Sequence, residues 1–308
     1  MKILEPLEMD FQSRSNHIPV MAKEVQEYLQ LKMNNCVVDF TLGLAGHALL
    51  MAKATAPDGR LIGIDRDKAS LEVARETLKE FSNRCEFVHD DYRNIDKILN
   101  TLGIREVDAM LLDLGISSYQ LDNPQRGFSF SAEGPLDMRM DQDSYISAYD
   151  LINSLSEKEI ALILRNFGEE RWHNRIAHHL VEQRLRRPIA STKDLSEAVM
   201  RAIPSHFKRE KIHPATRTFQ AFRIAVNREL ESLEIGLEKG VRYLKTGGRM
   251  CVIAFHSLED RIVKQKFRSL AKEGYVRLLT KKPLRPSDEE VEQNSRARSA
   301  RMRIIERI

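Results

Sequence analysis

One pattern constrains this chain more than any other. Between Cys36 and Leu114, short apolar runs alternate with helix-forming segments. The runs are Cys36–Phe40, Arg60–Asp65, Cys85–His89 and Val107–Leu114. Between them, Ala45–Ala56 is rich in Ala, Leu and Met. Lys68–Phe81 carries Leu71, Ala74, Leu78 and Phe81 at helical spacing, and Ile95–Leu102 is a short helix. Pro57-Asp58-Gly59 marks a turn before the second run. Val107–Leu114 is nearly all apolar, as expected of a strand covered on both faces. Such alternation builds βαβ units, so the predicted fold class is α/β with a parallel, Rossmann-like sheet.

The rhythm stops after Leu114. Gly115–Asp143 is rich in Ser, Gly, Pro and Asp, and is too long for an idle loop. From Ala148 to Lys245 everything reads as helix, with main segments Asn153–Phe167, Asn174–Arg187, Thr192–Ile203 and Thr218–Leu244. Pro188, Pro204 and Pro214 punctuate them, and Gly247-Gly248 is expected to end the last. Arg249–Phe255 then reads as a strand and Leu258–Ala271 as a helix. Tyr275–Leu279 and Met302–Glu306 are expected to close a hairpin around a polar linker. The expected organisation is an α/β domain over 1–143, resumed over 246–308 and interrupted by an all-helical insertion over 144–245. Met1–Ser15 reads as a loose leader without the apolar core of a signal peptide.

Hydrophobic residues make up 42% of the 308, enough for a sizeable core. No apolar stretch approaches the roughly 18–20 residues that cross a membrane, so no membrane partner is expected. Cys36, Cys85 and Cys251 are scattered in apolar surroundings without metal-ligand spacing. They read as buried free thiols of a cytoplasmic protein, and no metal is expected. The adjacent His178 and His179 face different ways on a helix, and Trp172, the only tryptophan, reads as a packing residue. Charge is unevenly placed: Arg165–Arg228 holds 14 Lys/Arg against 6 Asp/Glu, although the whole chain is only +4. A local basic excess suits an anionic partner such as nucleic acid, a solvated arginine-rich face being the alternative. Arg184, Arg186 and Arg187 are the candidate contacts to such a nucleic acid, RNA if the resemblance below holds.

In a doubly wound sheet, ligands bind outside the carboxyl ends of the strands. Three features converge there. The first is the turn from Asp39 to His47, where small residues let a ligand approach and a helix start offers N–H donors. The second is Asp65, nineteen residues after Gly46 and able to accept from the hydroxyls of a ribose. The third is Asp113, at the tip of the fourth run. A dinucleotide favours G-x-G-x-x-G, whereas the six residues from Gly43 read G-L-A-G-H-A. The pattern favours S-adenosylmethionine (SAM), which has no pyrophosphate, and leaves a dinucleotide-dependent oxidoreductase open.

Several longer stretches carry a resemblance. They are Leu112-Asp113-Leu114-Gly115-Ile116-Ser117-Ser118, Arg126-Gly127-Phe128-Ser129-Phe130 and Gly134-Pro135-Leu136-Asp137-Met138-Arg139-Met140. They continue in His213-Pro214-Ala215-Thr216-Arg217-Thr218-Phe219-Gln220-Ala221 and Phe255-His256-Ser257-Leu258-Glu259-Asp260-Arg261. With these, the chain resembles the bacterial 16S rRNA (cytosine-N4)-methyltransferases, the MraW or RsmH family, from His17 to Ser299. The resemblance implies a SAM-dependent fold with a helical insertion, and 16S rRNA of the small ribosomal subunit as partner. It implies SAM contacts at Ala45, Gly46 and His47, with Asp65 on the ribose, Tyr92 beside the adenine, and Asp113 and Gln120 completing the pocket. The family turn is richer in glycine, and Ala45 keeps its N–H in place provided its φ is negative. An Asp/Asn-Pro-Pro-aromatic motif, common among amino-methyltransferases, is absent after the fourth run. Asp113 is therefore the first candidate for a proton acceptor and His256 the second. Ser257 is a candidate for the RNA side or a helix cap, and His213 and Arg217 for RNA phosphates. An RNA-binding assembly factor with the same fold stays as the non-catalytic alternative. The oligomeric state is open, a homodimer being one option.

Overall fold

The computed structural model describes residues 19–204 and 213–308. The leader expected at Met1–Ser15 lies outside them, as do His17 and Ile18. The chain opens with α1 (Ala22–Leu29), which the sequence reading passed over. It then alternates through β1 (Cys36–Asp39), α2 (Gly46–Ala54), β2 (Arg60–Asp65), α3 (Lys68–Thr77), β3 (Cys85–His89), α4 (Ile95–Thr101) and β4 (Val107–Asp113). The expected βαβ rhythm holds almost residue for residue. One shortening is at α3, which stops at Thr77, with Phe81 in a 3-10 turn over Lys79–Arg84.

After β4 come α5 (Ser118–Asp122), α6 (Ala148–Ser154), α7 (Glu157–Gly168), α8 (His173–Arg186), α9 (Thr192–Ala202), α10 (Thr216–Asn227) and α11 (Glu229–Val241). The chain closes with β5 (Leu244–Ala254), α12 (Ser257–Lys272), β6 (Val276–Leu278), α13 (Asp288–Gln293) and β7 (Arg301–Arg307). Two expected helices are each split. Ser156 caps α7 with a reciprocal Ser156–Glu159 box, ending α6 before it. Arg228 takes a left-handed conformation, φ 50°, dividing the expected Thr218–Leu244 helix into α10 and α11. Gly247 and Gly248 do not end a helix. They lie inside β5, where the pairing with β4 shifts register between Val107 and Ala109, so the glycines serve an irregularity in the strand.

Seven strands form one sheet in the order β3-β2-β1-β4-β5-β7-β6. The first five are parallel, whereas β7 runs antiparallel to both β5 and β6, as the expected closing hairpin requires. One apolar cluster covers one face with residues of α4, α11 and α12, among them Leu99, Leu237 and Phe267. A second covers the other face with α1, α2 and α3, including Val25, Met51 and Leu71. A third core is separate and mostly helical, from Phe128 in the preceding loop through Leu164 and Leu180 to Phe222. Helix α11 thus packs on the sheet, while α10, its neighbour in sequence, packs in the helical core.

Cys85 and Cys251 are buried and Cys36 half-buried, because Cys36 opens the strand at its edge toward solvent. No helix among the described residues is long and apolar enough to cross a membrane.

Candidate active site

Parallel strands place their carboxyl ends on one edge. Asp39, Asp65 and Asp113 are the last residues of β1, β2 and β4, and Asp113 pairs in register with Ile253 of β5. The fourth strand and the strand after the insertion are therefore neighbours. At this edge opens a cavity of about 540 Å³, roofed by Met140, Thr216 and Arg223 of the helical unit. That volume lies within the range of small-molecule sites.

Its floor is the turn after β1. Leu42 N–H donates to Ile64 O at 2.9 Å, tying the turn to β2. A close approach makes this fit: a Cβ on Gly63 would lie 2.7 Å from both methyls of Leu42. Gly43 N–H donates to Asp65 Oδ2 at 2.7 Å, and Asp67 N–H to Asp65 Oδ1 at 2.8 Å. Each oxygen keeps lone-pair capacity for a further donor. Ala45 adopts φ 66°, the opposite sign to that expected, so a non-glycine residue stands in the left-handed region. Helix α2 then starts with no side-chain cap, and Gly46 and His47 at its N-terminus line the cavity. Such an end offers free N–H groups and the positive end of the helix dipole.

The carboxylates crowd one another. Burial, with Asp65 nearby, pushes Asp39 up to about 7 against the hydrogen bond from Thr41 N–H. Burial likewise raises Asp65 to about 6. Asp113 is raised well above the ordinary range by burial, then by the charges of Asp39 and Glu259. Its Oδ1 is buried without a hydrogen-bond partner among the described residues, and its Oδ2 lies 3.7 Å from His47 Nε2. This lining favours a cationic ligand that would relieve the repulsion.

Among the expected cofactor residues, Gly46, His47, Asp65, Tyr92, Asp113 and Gln120 all line the cavity. Ala45 is fully buried behind it. Tyr92 packs under Gly236 of α11, where an added Cβ would meet its ring at 2.7 Å. Gln120 is a structural brace as well: its Nε2 donates to Asp67 Oδ2 and its Oε1 accepts from Ser117 N–H.

The expected base-side and RNA residues fare differently. His256 does not line the cavity. It caps α12, its Nδ1 accepting from Glu259 N–H, while its Nε2 sits 3.1 Å from Glu259 Oε1. The cap is thus His256 and not Ser257, whose hydroxyl donates to Glu169 at 2.6 Å. Of the arginine cluster, Arg184 donates to Ile152 O at the end of α6, and Arg187 pairs with Asp194. Arg186 alone is exposed without a partner among the described residues. His213 is exposed and stacks on Phe130 with ring centroids 4.5 Å apart. Arg217 is exposed on α10, six residues before the cavity-lining Arg223.

Sequence reasoning missed part of the wall. Arg223, Glu229, Glu259, Arg66 and Arg296 all line the cavity. Glu259 is legible afterwards as the third residue of α12, where it answers the cap by accepting from His256 N–H at 3.3 Å, and from Phe255 N–H at 2.8 Å as well. Burial opposes its charge, yet His256 and Arg223 hold its carboxyl below the ordinary range. Arg223 and Glu229 straddle the break at Arg228, which the unbroken helical pattern concealed.

A dinucleotide sheet runs 3-2-1-4-5-6. Here antiparallel β7 is inserted between β5 and β6, and the glycine turn lacks the pyrophosphate spacing. This sheet, with acidic strand tips around its cavity, is that of a Rossmann-like methyltransferase. Within that class the chain belongs to the MraW methylase family, whose match spans residues 14–308. It is 45% identical over 307 residues to the ribosomal RNA small subunit methyltransferase H of Halothermothrix orenii, covering 95% of this chain and 98% of that one. The protein of the same description from Geobacter sp. (strain M21) is 48% identical over 308 residues, covering 95% and 99%. That from Thermotoga neapolitana is 51% identical over 293 residues, covering 94% and 95%.

Proposed function

We propose that this protein transfers a methyl group from SAM to the exocyclic N4 of a cytosine in 16S rRNA of the small ribosomal subunit, in the cytoplasm. The observation that carries the reading is the cavity itself, with an uncapped helix start at one end and an acidic row at the strand tips. The residues fit the cofactor. The N-terminus of α2, at Gly46 and His47, receives its amino-acid carboxylate, and Asp65 accepts from the ribose hydroxyls. Tyr92 and Leu233 wall the apolar side for the adenine. The acidic row of Asp39, Asp65 and Asp113 suits a sulfonium.

SAM when bound supplies an electrophilic methyl group. The protein positions the amine and takes its proton. Cytosine N4 is a weak nucleophile because its lone pair is delocalised, so alignment carries much of the rate. The free Oδ1 of Asp113 accepts the N4 hydrogen, and burial, which raises its pKa, makes the carboxylate a stronger proton acceptor. The target base enters unstacked, as base-modifying enzymes require. The helical unit, with His213, Arg217 and Arg186 exposed, carries the RNA contacts.

A methyl-transfer assay on small subunits from cells lacking the gene, read by nucleoside mass spectrometry, tests this. N4-methylcytidine appearing only with wild-type protein and SAM supports the reading. RNA binding without transfer would make the protein an assembly factor.

A further inference from the structure

Arg223 is the one wall residue with an unusual division of labour. Its Nε and Nη2 donate to the two oxygens of Glu229 at 2.9 and 3.0 Å, a bidentate pair that fixes the guanidinium plane. Its Nη1 makes no hydrogen bond among the described residues, although the side chain lines the cavity and is only 15% exposed. A donor left open toward the cavity while its neighbours are locked is available to a ligand acceptor. Glu259 lies close enough to both Arg223 and Asp113 to act on their charges, so donor and carboxylates share one wall.

We propose that Arg223 reads the target base, donating from Nη1 to the N3/O2 edge of cytosine while Asp113 faces N4. This rests on the cytosine reading above and names the residue that gives it selectivity. Cytosine offers acceptors at N3 and O2 beside a donor at N4. Uracil offers a donor at N3 and an acceptor at O4, so it would set hydrogen against the guanidinium and oxygen against Asp113. Glu229 has the positioning part: it is the first residue of α11, which packs on the sheet, so the reader is aimed from the cofactor-bearing core although Arg223 itself sits on α10.

The test uses reconstituted small subunits whose 16S rRNA carries cytidine or 3-deazacytidine at the target position. The analogue keeps N4 and O2 but replaces N3 by C–H. Loss of one charge-assisted hydrogen bond should slow wild-type transfer roughly 10- to 100-fold on the analogue. Arg223→Met should be slower on cytidine by a similar factor and show no additional loss on the analogue, because the partner atom is already unused. SAM affinity by calorimetry should stay within about twofold, separating base reading from damage to the cofactor site. Arg223→Lys keeps a cation beside Glu229 and carries the same comparison if the Met variant fails to fold. A variant that keeps the full wild-type penalty on the analogue overturns the assignment, as does a wild-type enzyme indifferent to it. Failure of wild type to methylate cytidine anywhere in the subunit would instead overturn the function itself.

Discussion

Asp39→Asn should make the protein more stable, by an amount that depends on pH. Asp39 is 1% exposed, ends β1 and accepts from Thr41 N–H. Its carboxyl titrates at about 7 in the fold against an ordinary value of 3.8. A carboxyl raised on folding contributes stability in its protonated form; that contribution is complete below the unfolded pKa and is lost as pH rises through the folded one. At about 1.4 kcal/mol per pH unit, the loss is under about 2 kcal/mol at pH 5 and reaches about 4 kcal/mol at pH 8. Asparagine keeps the shape and the acceptor but cannot ionise. Urea unfolding followed by circular dichroism, without SAM, should therefore show the mutant's advantage growing by about 2–3 kcal/mol between pH 5 and pH 8. SAM affinity should fall in the same variant, because one of the charges facing the sulfonium is gone. An advantage of equal size at both pH values would refute the reasoning, since it would then owe nothing to ionisation.

Three more expectations follow from the same geometry. Arg126 is buried 2.6 Å from Asp67 and donates to the carbonyls of Arg139 and Met140; Arg126→Met should cost about 3–5 kcal/mol in denaturant unfolding by stranding Asp67. Gly63→Ala would drive a methyl into Leu42; calorimetry should show SAM binding at least tenfold weaker, with a stability loss of about 1–3 kcal/mol. Wild-type SAM binding should weaken as pH falls from 8 to 6, through the values of about 7 for Asp39 and about 6 for Asp65, and should release protons, seen as a binding heat that varies with buffer.

The sheet was legible because its signal is local. Four apolar runs, and the carboxylates Asp39, Asp65 and Asp113 at the tips of three of them, can be read without knowing what packs on them. The breaks were not. Apolar spacing continues through Arg228, and the left-handed kink is held by polar bonds that the pattern does not show: Arg66 to Asn227 O at 2.6 Å, Asn227 to Met138 O and Met140 N–H, and the pairs Arg228–Glu231 and Arg223–Glu229. The box at Ser156–Glu159 was present in the sequence and outweighed by the apolar periodicity across it. For Arg184 and Arg187 charge alone was visible, and their partners Ile152 O and Asp194 come from packing. Ala45 is the reverse case: glycine is the residue expected for its backbone, and alanine is there with its methyl fully buried.

Two of the ties between the helical unit and the sheet fall on adjacent residues. Arg126, near the start of that unit, is tied to Asp67, and Asn227, at its end, is tied to Arg66. Both partners directly follow Asp65. A further tie lies elsewhere, where Ser257 and Arg261 of α12 both bind Glu169 at the end of α7. The Arg126–Asp67 tie is buried and the Arg261–Glu169 tie exposed, so the second is the weaker and gives way first, with the Asp65 end still held. The geometry therefore separates a quiet end, where a small ligand can stay seated, from a travelling rim, where a large one can be admitted and let go.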